Sequence, residues 1–157
     1  MAARLRAAVD GGSRGNPGPA AWAVAVLDEA GNYVEGHAGA LGHATNNVAE
    51  YRGLIEALKL AAERGAEDVE IRADSELIVR QMQGRYRVRH PALVPLHQEA
   101  RRRARSFPSF RIVHVPRDEN RDADRLVNEA LNRAAVEPAE GVRIHELPEP
   151  SGQFPGR

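Results

Sequence analysis

The sequence predicts one α/β domain, a five-stranded mixed sheet flanked by helices, and three observations predict it. Strand-like segments come first and together, helical segments and short strands then alternate, and 157 residues suit one hydrophobic core rather than two. The expected element order is βββαβααβα.

Residues 5–9 read as a strand running into Asp10, and Gly11-Gly12-Ser13-Arg14-Gly15-Asn16-Pro17-Gly18-Pro19 reads as a turn-rich loop. Residues 21–27 and 33–40, split by the turn-forming Asp28-Glu29-Ala30-Gly31-Asn32, supply the next two strands. Over residues 45–64 the apolar positions Tyr51, Leu54, Ile55, Leu58, Ala61 and Ala62 recur at helical spacing, with Gly65 as the stop. Residues 69–73 form a short strand entering Asp74-Ser75, where a second helix starts and runs to about Gln83. Residues 91–106 read as a basic helix, 110–115 as a strand, and 120–135 as a helix with Leu126, Val127, Ala130 and Leu131 inward. Strands separated by helices favour parallel pairing, so the sheet becomes mixed after its first three strands. The domain is expected over residues 1–136. Residues 137–157, with Pro138, Gly141, Pro148, Pro150, Gly152, Pro155 and Gly156, are expected to be a Pro/Gly-rich tail.

Charge is balanced, 22 basic against 22 acidic residues, so net charge alone does not point to a nucleic-acid partner. The distribution is uneven, because between Leu77 and Arg117 there are ten arginines and the single acid Glu99. The absence of cysteine excludes disulfides and thiolate metal sites, and no apolar run approaches a membrane span. A monomeric cytoplasmic protein without membrane attachment is expected.

Four carboxylates stand where chemistry explains them better jointly than structure does singly. Asp10 follows an apolar strand, where a turn-starting aspartate is an ordinary alternative. Glu50 lies in an i, i+4 row with Leu54 and Leu58, which puts a charge in line with core-facing leucines. Asp74 reads equally as a helix cap, and Asp124 as an acid suited to a helix start. Asp10 and Asp74 both leave strands at their carboxyl ends, where open α/β sheets carry ligands, and two helices supply the others. Carboxylates brought together repel one another unless protons or hard cations intervene. Without cysteine or clustered histidines, magnesium or manganese is the fitting ion, and two such ions about 4 Å apart cut phosphodiesters in known nucleases.

The motifs carry a resemblance. Asp10 through Pro19, Thr45-Asn46-Asn47-Val48-Ala49-Glu50, Asp74-Ser75 and Glu119-Asn120-Arg121-Asp122-Ala123-Asp124-Arg125-Leu126 occur in an order that resembles the type 1 ribonuclease H family, from Arg4 to Ala135. The resemblance implies a ribonuclease H-like fold and an endonuclease that hydrolyses the RNA strand of RNA–DNA hybrids by a two-metal-ion mechanism, leaving 5′-phosphate and 3′-hydroxyl ends. It implies that Asp10 bridges two Mg2+ ions, with Mn2+ as a substitute, while Glu50 and Asp74 complete one site and Asp124 the other. Asn16, Asn46 and Asn47 match positions touching base edges in the hybrid's minor groove, and Thr45 matches one holding a DNA phosphate. Turn and cap roles are compatible with this, since a helix start already presents N–H groups to phosphate. Gly11 and Gly12 would let loop backbone approach the ribose 2′-hydroxyl that distinguishes RNA.

This chain departs from the family pattern in three places. His114 precedes Asp124 by ten residues, as the family's catalytic-loop histidine does, but Val115-Pro116-Arg117 replaces the usual glycine-containing loop. His114 therefore reads equally as a catalytic residue and as the end of a strand face shared with Phe110 and Ile112. Glu76 stands where many members have a substrate-contacting glutamine. Only Gly84-Arg85-Tyr86-Arg87-Val88-Arg89 links two helices where many bacterial members carry a long basic protrusion, which resembles the handle-less subgroup. Grip on the hybrid then falls to Arg85, Tyr86, Arg87 and Arg89 through phosphate contact and stacking. Arg101 to Arg105 suit a solvated helix face. A DNA-cutting nuclease of the same superfamily is disfavoured by the paired asparagines, and a non-catalytic hybrid-binding domain by the intact carboxylates. Double-stranded RNA is a second duplex the resemblance leaves open.

Overall fold

In a computed structural model, residues 3–148 are described. Strands β1 (Arg4–Ser13), β2 (Gly18–Leu27) and β3 (Tyr33–Ala44) come first, followed by α1 (Asn46–Glu63), β4 (Asp68–Ala73), α2 (Glu76–Met82), α3 (Val94–Arg105), β5 (Ser109–His114), α4 (Arg121–Ala134) and β6 (Arg143–Glu146). The sheet is mixed, with strand order β5-β4-β1-β2-β3-β6. β1, β2 and β3 pair antiparallel, while β4 joins β1 and β5 joins β4 in parallel.

Local chemistry explains most boundaries. Asp28 Oδ1 accepts the N–H groups of Ala30 and Asn32, both at 2.9 Å, and so turns β2 into β3. Thr45 Oγ1 caps α1 by accepting from Val48 N–H at 3.2 Å, and beyond its end Gly65 adopts φ 67°, a left-handed conformation suited to glycine.

Each face of the sheet buries its own core. On one side Val9, Val24, Leu54, Leu58, Ile71 and Ile112 pack beneath α1, α2 and α3. On the other, alanines 8, 21, 23, 25 and 38 form a shallow floor under Leu126, Val127 and Leu131 of α4. Small residues there let one helix lie close to the strands, a jigsaw fit that larger side chains would prevent.

Two sequence expectations are corrected. The sheet has six strands rather than five, because Arg143–Glu146, within the segment expected as tail, pairs antiparallel with β3. Val142 and Ile144 alternate with Arg143 and His145, a two-residue period that the surrounding prolines and glycines outweighed in composition; both apolar residues are buried. β1 also continues three residues past Asp10, with Gly11, Gly12 and Ser13 pairing with Trp22, Ala21 and Ala20. Glycine composition suggested a loop, but a partner strand supplies the hydrogen bonds that override that propensity. Residues 149–157 of the expected tail lie outside the described residues.

Candidate active site

Asp10 stands where two kinds of pairing meet. Parallel pairing with β4 ends at Val9 and Ala73, so Asp10 and Asp74 lie side by side beyond the last parallel pair. β1 runs on beside β2 and holds Asp10 in regular backbone rather than at a loose end. Glycine then brings α1 to the same place. A Cβ on Gly11 would lie 2.1 Å from the Ala49 carbonyl carbon and 2.5 Å from Glu50 N, and one on Gly53 would lie 2.6 Å from Asp10 O. These two glycines, one from each element, permit the backbone contact that carries Glu50 to Asp10. Gly11 thus has its bare Cα against the helix, whereas a Cβ on Gly12 would meet only ordinary contacts, Val127 Cγ1 at 3.7 Å and Asn46 Oδ1 at 3.9 Å.

Ser75, not Asp74, caps α2, its Oγ accepting from Ile78 N–H at 3.3 Å. The Asp74 carboxylate is thereby released from the structural duty that the sequence allowed it. One carboxylate oxygen each from Asp10, Glu50 and Asp74 lies within 4.8 Å of the other two. Asp124 comes from the opposite face on α4, and all four line one open cleft of about 500 Å³.

The electrostatics of this cluster are those of charges held together against their interest. Burial, then the Asp74 charge, pushes the Asp10 carboxyl up to about 7, and the Gly11 N–H and the contact with Glu50 only partly oppose this. Glu50 is raised well above the usual carboxylate range, by burial first and by Asp10 second. Hard divalent cations fit such a donor set, which offers only oxygen and stores repulsion that a positive ion relieves.

The sequence did not single out two residues that shape the cleft. Asn120 is buried at the start of α4, yet its side chain does not cap that helix; Nδ2 donates to Val9 O at 2.9 Å instead. That bond ties the helix carrying Asp124 to the strand carrying Asp10. An asparagine at a helix start was a visible signal, but of a cap. Arg117 lines the mouth of the cleft, exposed, with Nη2 3.9 Å from Asp124 Oδ1.

The other predicted residues divide by place. Asn46 lines the cleft, and its Oδ1 accepts Ser13 N–H at 2.8 Å, while Asn16 Oδ1 accepts Asn46 N–H at 3.1 Å. The loop after β1 and the start of α1, with Thr45 and half-buried Asn47, are thus one surface. His114 ends β5 opposite Ala73, exposed and outside the cleft lining. Glu76 faces along its own helix to Arg80, with Oε2 3.6 Å from Nε. Arg85, Tyr86 and Arg87 are exposed on the link between α2 and α3 and do not line the cleft.

A family model described as reverse transcriptase-like matches residues 8–130. The crystal structure of RNase H1 from the halophilic archaeon Halobacterium salinarum superposes with a TM-score of 0.79 at 43% identity, covering 83% of this chain and 98% of that one. The chain belongs to the ribonuclease H-like family. Another ribonuclease H-like structure, LC11-RNase H1 in complex with an RNA/DNA hybrid, matches with a TM-score of 0.79 at 43% identity over 83% of this chain and 99% of that one. A bifunctional protein of Mycobacterium tuberculosis is 47% identical over 128 residues, which are 80% of this chain and 35% of that protein. The ribonuclease H-like chain therefore spans about a third of the length of that relative. Among the described residues, no helix is long and apolar enough to cross a membrane.

Proposed function

We propose that this chain is a metal-dependent endonuclease that hydrolyses the RNA strand of RNA–DNA hybrids and leaves 5′-phosphate and 3′-hydroxyl ends. The convergence of Asp10, Glu50, Asp74 and Asp124 in one cleft carries the reading. The hybrid-bound LC11-RNase H1, similar over nearly its whole length, supports the substrate class.

Asp10, Glu50 and Asp74 would hold one Mg2+ and Asp10 with Asp124 a second, Mn2+ serving in their place. Bound there, the ions would activate a water and steady the leaving oxygen of a phosphodiester. The Asp10 carboxyl, raised to about 7, and Glu50, shifted in the same direction by burial, must give up any proton before they bind a cation, so uptake strengthens as pH rises. Asn46 and Asn16 spend their carbonyl oxygens within the protein, which leaves the amide NH2 of each to donate to the acceptors of a minor groove. Gly12 offers backbone to a ribose 2′-hydroxyl, the capped Thr45 turn offers N–H groups to a phosphate, and Arg117 offers charge at the cleft mouth.

The 83–93 link between α2 and α3 contains no helix, which supports a handle-less enzyme gripping the duplex with Arg85, Tyr86, Arg87 and Arg89. We read His114 as the end of its strand, because it does not line the cleft. We read the enzyme as a cytoplasmic monomer whose domain runs past residue 136 to include β6. The test is cleavage of end-labelled RNA–DNA, RNA–RNA and DNA–DNA duplexes with magnesium and then with chelator. Metal-dependent cutting of the RNA strand in hybrid, with 3′-hydroxyl ends extendable by a polymerase, is expected. Cutting of DNA–DNA, or none of any duplex, overturns the reading; cutting of RNA–RNA as well would widen the substrate class.

A further inference from the structure

A second group of metal-ligating side chains shares no residue with the carboxylate cleft. Glu35 and His37 alternate on one face of β3, and His145 of β6 is the direct cross-strand partner of His37. His37 also pairs with Val24, a residue of the α1-side core, so the group lies on that face at the edge of the sheet. Both imidazoles turn Nε2 to the same oxygen, Glu35 Oε2, at 2.6 Å for His37 and 3.2 Å for His145. The rings stack with centroids 4.5 Å apart and planes 11° from parallel, and one ligand atom from each of the three residues lies within 4.8 Å of the others. Glu35 is buried, while His145 is exposed.

A structural ion pair does not need this arrangement. Arg64 Nη2 already reaches Glu35 Oε2 at 2.5 Å and neutralises it. Two further rings on that oxygen present their nitrogens to one point, the arrangement in which neutral imidazole and carboxylate take a borderline cation. An open space of about 520 Å³, lined by His37, Glu56, Glu63, Arg103 and Arg143 among others, adjoins the group and admits an ion with its water.

We propose that Glu35, His37 and His145 form a site for Zn2+ or a chemically similar divalent cation that clasps β6 onto β3. Such a clasp matters because β6 is only four residues long and edges the sheet. Arg64, on the half-exposed last turn beyond α1, is the resident counter-charge and swings to solvent when the ion enters. The donor set separates this site from the cleft: two nitrogens and one oxygen favour zinc, whereas an all-oxygen cluster favours magnesium.

The test uses the full chain carrying Asp10→Asn, in saturating Mg2+, titrated with Zn2+ by calorimetry and followed by histidine-ring NMR. One Zn2+ per chain is expected, with the His37 and His145 rings shifting together and the melting temperature rising by several degrees. Loss of an outer-shell partner costs metal affinity about 10–100-fold, so His37→Ala or His145→Ala should weaken binding at least about 100-fold. Circular dichroism checks that both variants fold, and Arg64→Gln, which removes the competing cation, should bind at least as tightly as its parent. Absence of stoichiometric uptake, uptake that survives loss of both histidines, or weaker binding by Arg64→Gln would each overturn the proposal.

Discussion

Asp10 is the residue on which stability and chemistry pull in opposite directions. Its carboxyl is raised from 3.8 to about 7, so between those values the folded protein holds a proton that the unfolded chain has released. Stability of the metal-free protein therefore falls as pH rises through that window. Asp10→Asn removes the contribution while leaving the side-chain volume. In chelator, its melting temperature should equal the parent's near pH 4 and exceed it near pH 8, roughly the limits of the Asp10 titration. Groups shifted the other way, such as Glu35 beside Arg64, are common to both proteins and cancel in the comparison. Hydrolysis of hybrid by the same variant should drop about 1,000-fold or more, some 4 kcal/mol of transition-state stabilisation. A variant that cuts at near the parental rate would remove the basis for the metal assignment. Of this site, the carboxylates were legible in sequence because each broke a local pattern or joined a motif. Arg117 was not, since an exposed arginine opening a short 3-10 turn follows every local rule.

Elements meet at the cleft through contacts that local sequence does not advertise. Gly11 and Gly53 are each unremarkable, and only their apposition lets β1 and α1 touch. Gly11→Ala must push Ala49 and Glu50 away, at a cost of about 1–3 kcal/mol or more. Chemical denaturation should register that loss, and Mg2+ affinity should fall with it because Glu50 is displaced from Asp10. Asn120 acts between elements in the same way. Asn120→Ala leaves the buried Val9 carbonyl without its donor, costing about 1–3 kcal/mol. The turnover number should fall while the Michaelis constant changes little, because α4 loses its tie to β1 but Asn16 and Asn46, proposed to meet the hybrid, keep their bonds. An unchanged turnover number would show that Asp124 is positioned by α4 packing alone. The helices themselves were readable from apolar periodicity and caps. β1 was not read to its end, because Gly11 and Gly12 have poor strand propensity and are held by β2, which lies elsewhere in the chain.

For the whole molecule, the sixth strand decides where the domain ends, and the basic link is where the proposed grip on a duplex can be tested. Truncation after Val136, at the boundary that composition suggests, removes the buried side chains of Val142 and Ile144. At about 1.5–3 kcal/mol for each fully buried aliphatic side chain, the loss is roughly 3–6 kcal/mol, enough to lower the melting temperature markedly. A truncated chain as stable as the full one would show that β6 does not contribute to the core. At the other edge, replacing Arg85, Arg87 and Arg89 together by Ala should raise the Michaelis constant and flatten its dependence on salt, with the rate at saturation nearly intact. An unchanged salt slope would place the duplex elsewhere on the surface.

The sequence by itself determined the fold class, the element order through α4, and the carboxylates, because apolar periodicity, helix caps and ordered motifs are local properties that a chain carries along its length. Tertiary structure alone decided that Asn120 ties α4 to β1 and that Arg143–Glu146 closes the sheet at β3. It also brought Glu35, His37 and His145 together. The Asn120 bond, the β3–β6 pairing and the Glu35 cluster each depend on a partner distant in sequence, and a side chain's hydrogen-bonding choice is settled by which partner the fold delivers, not by its own identity.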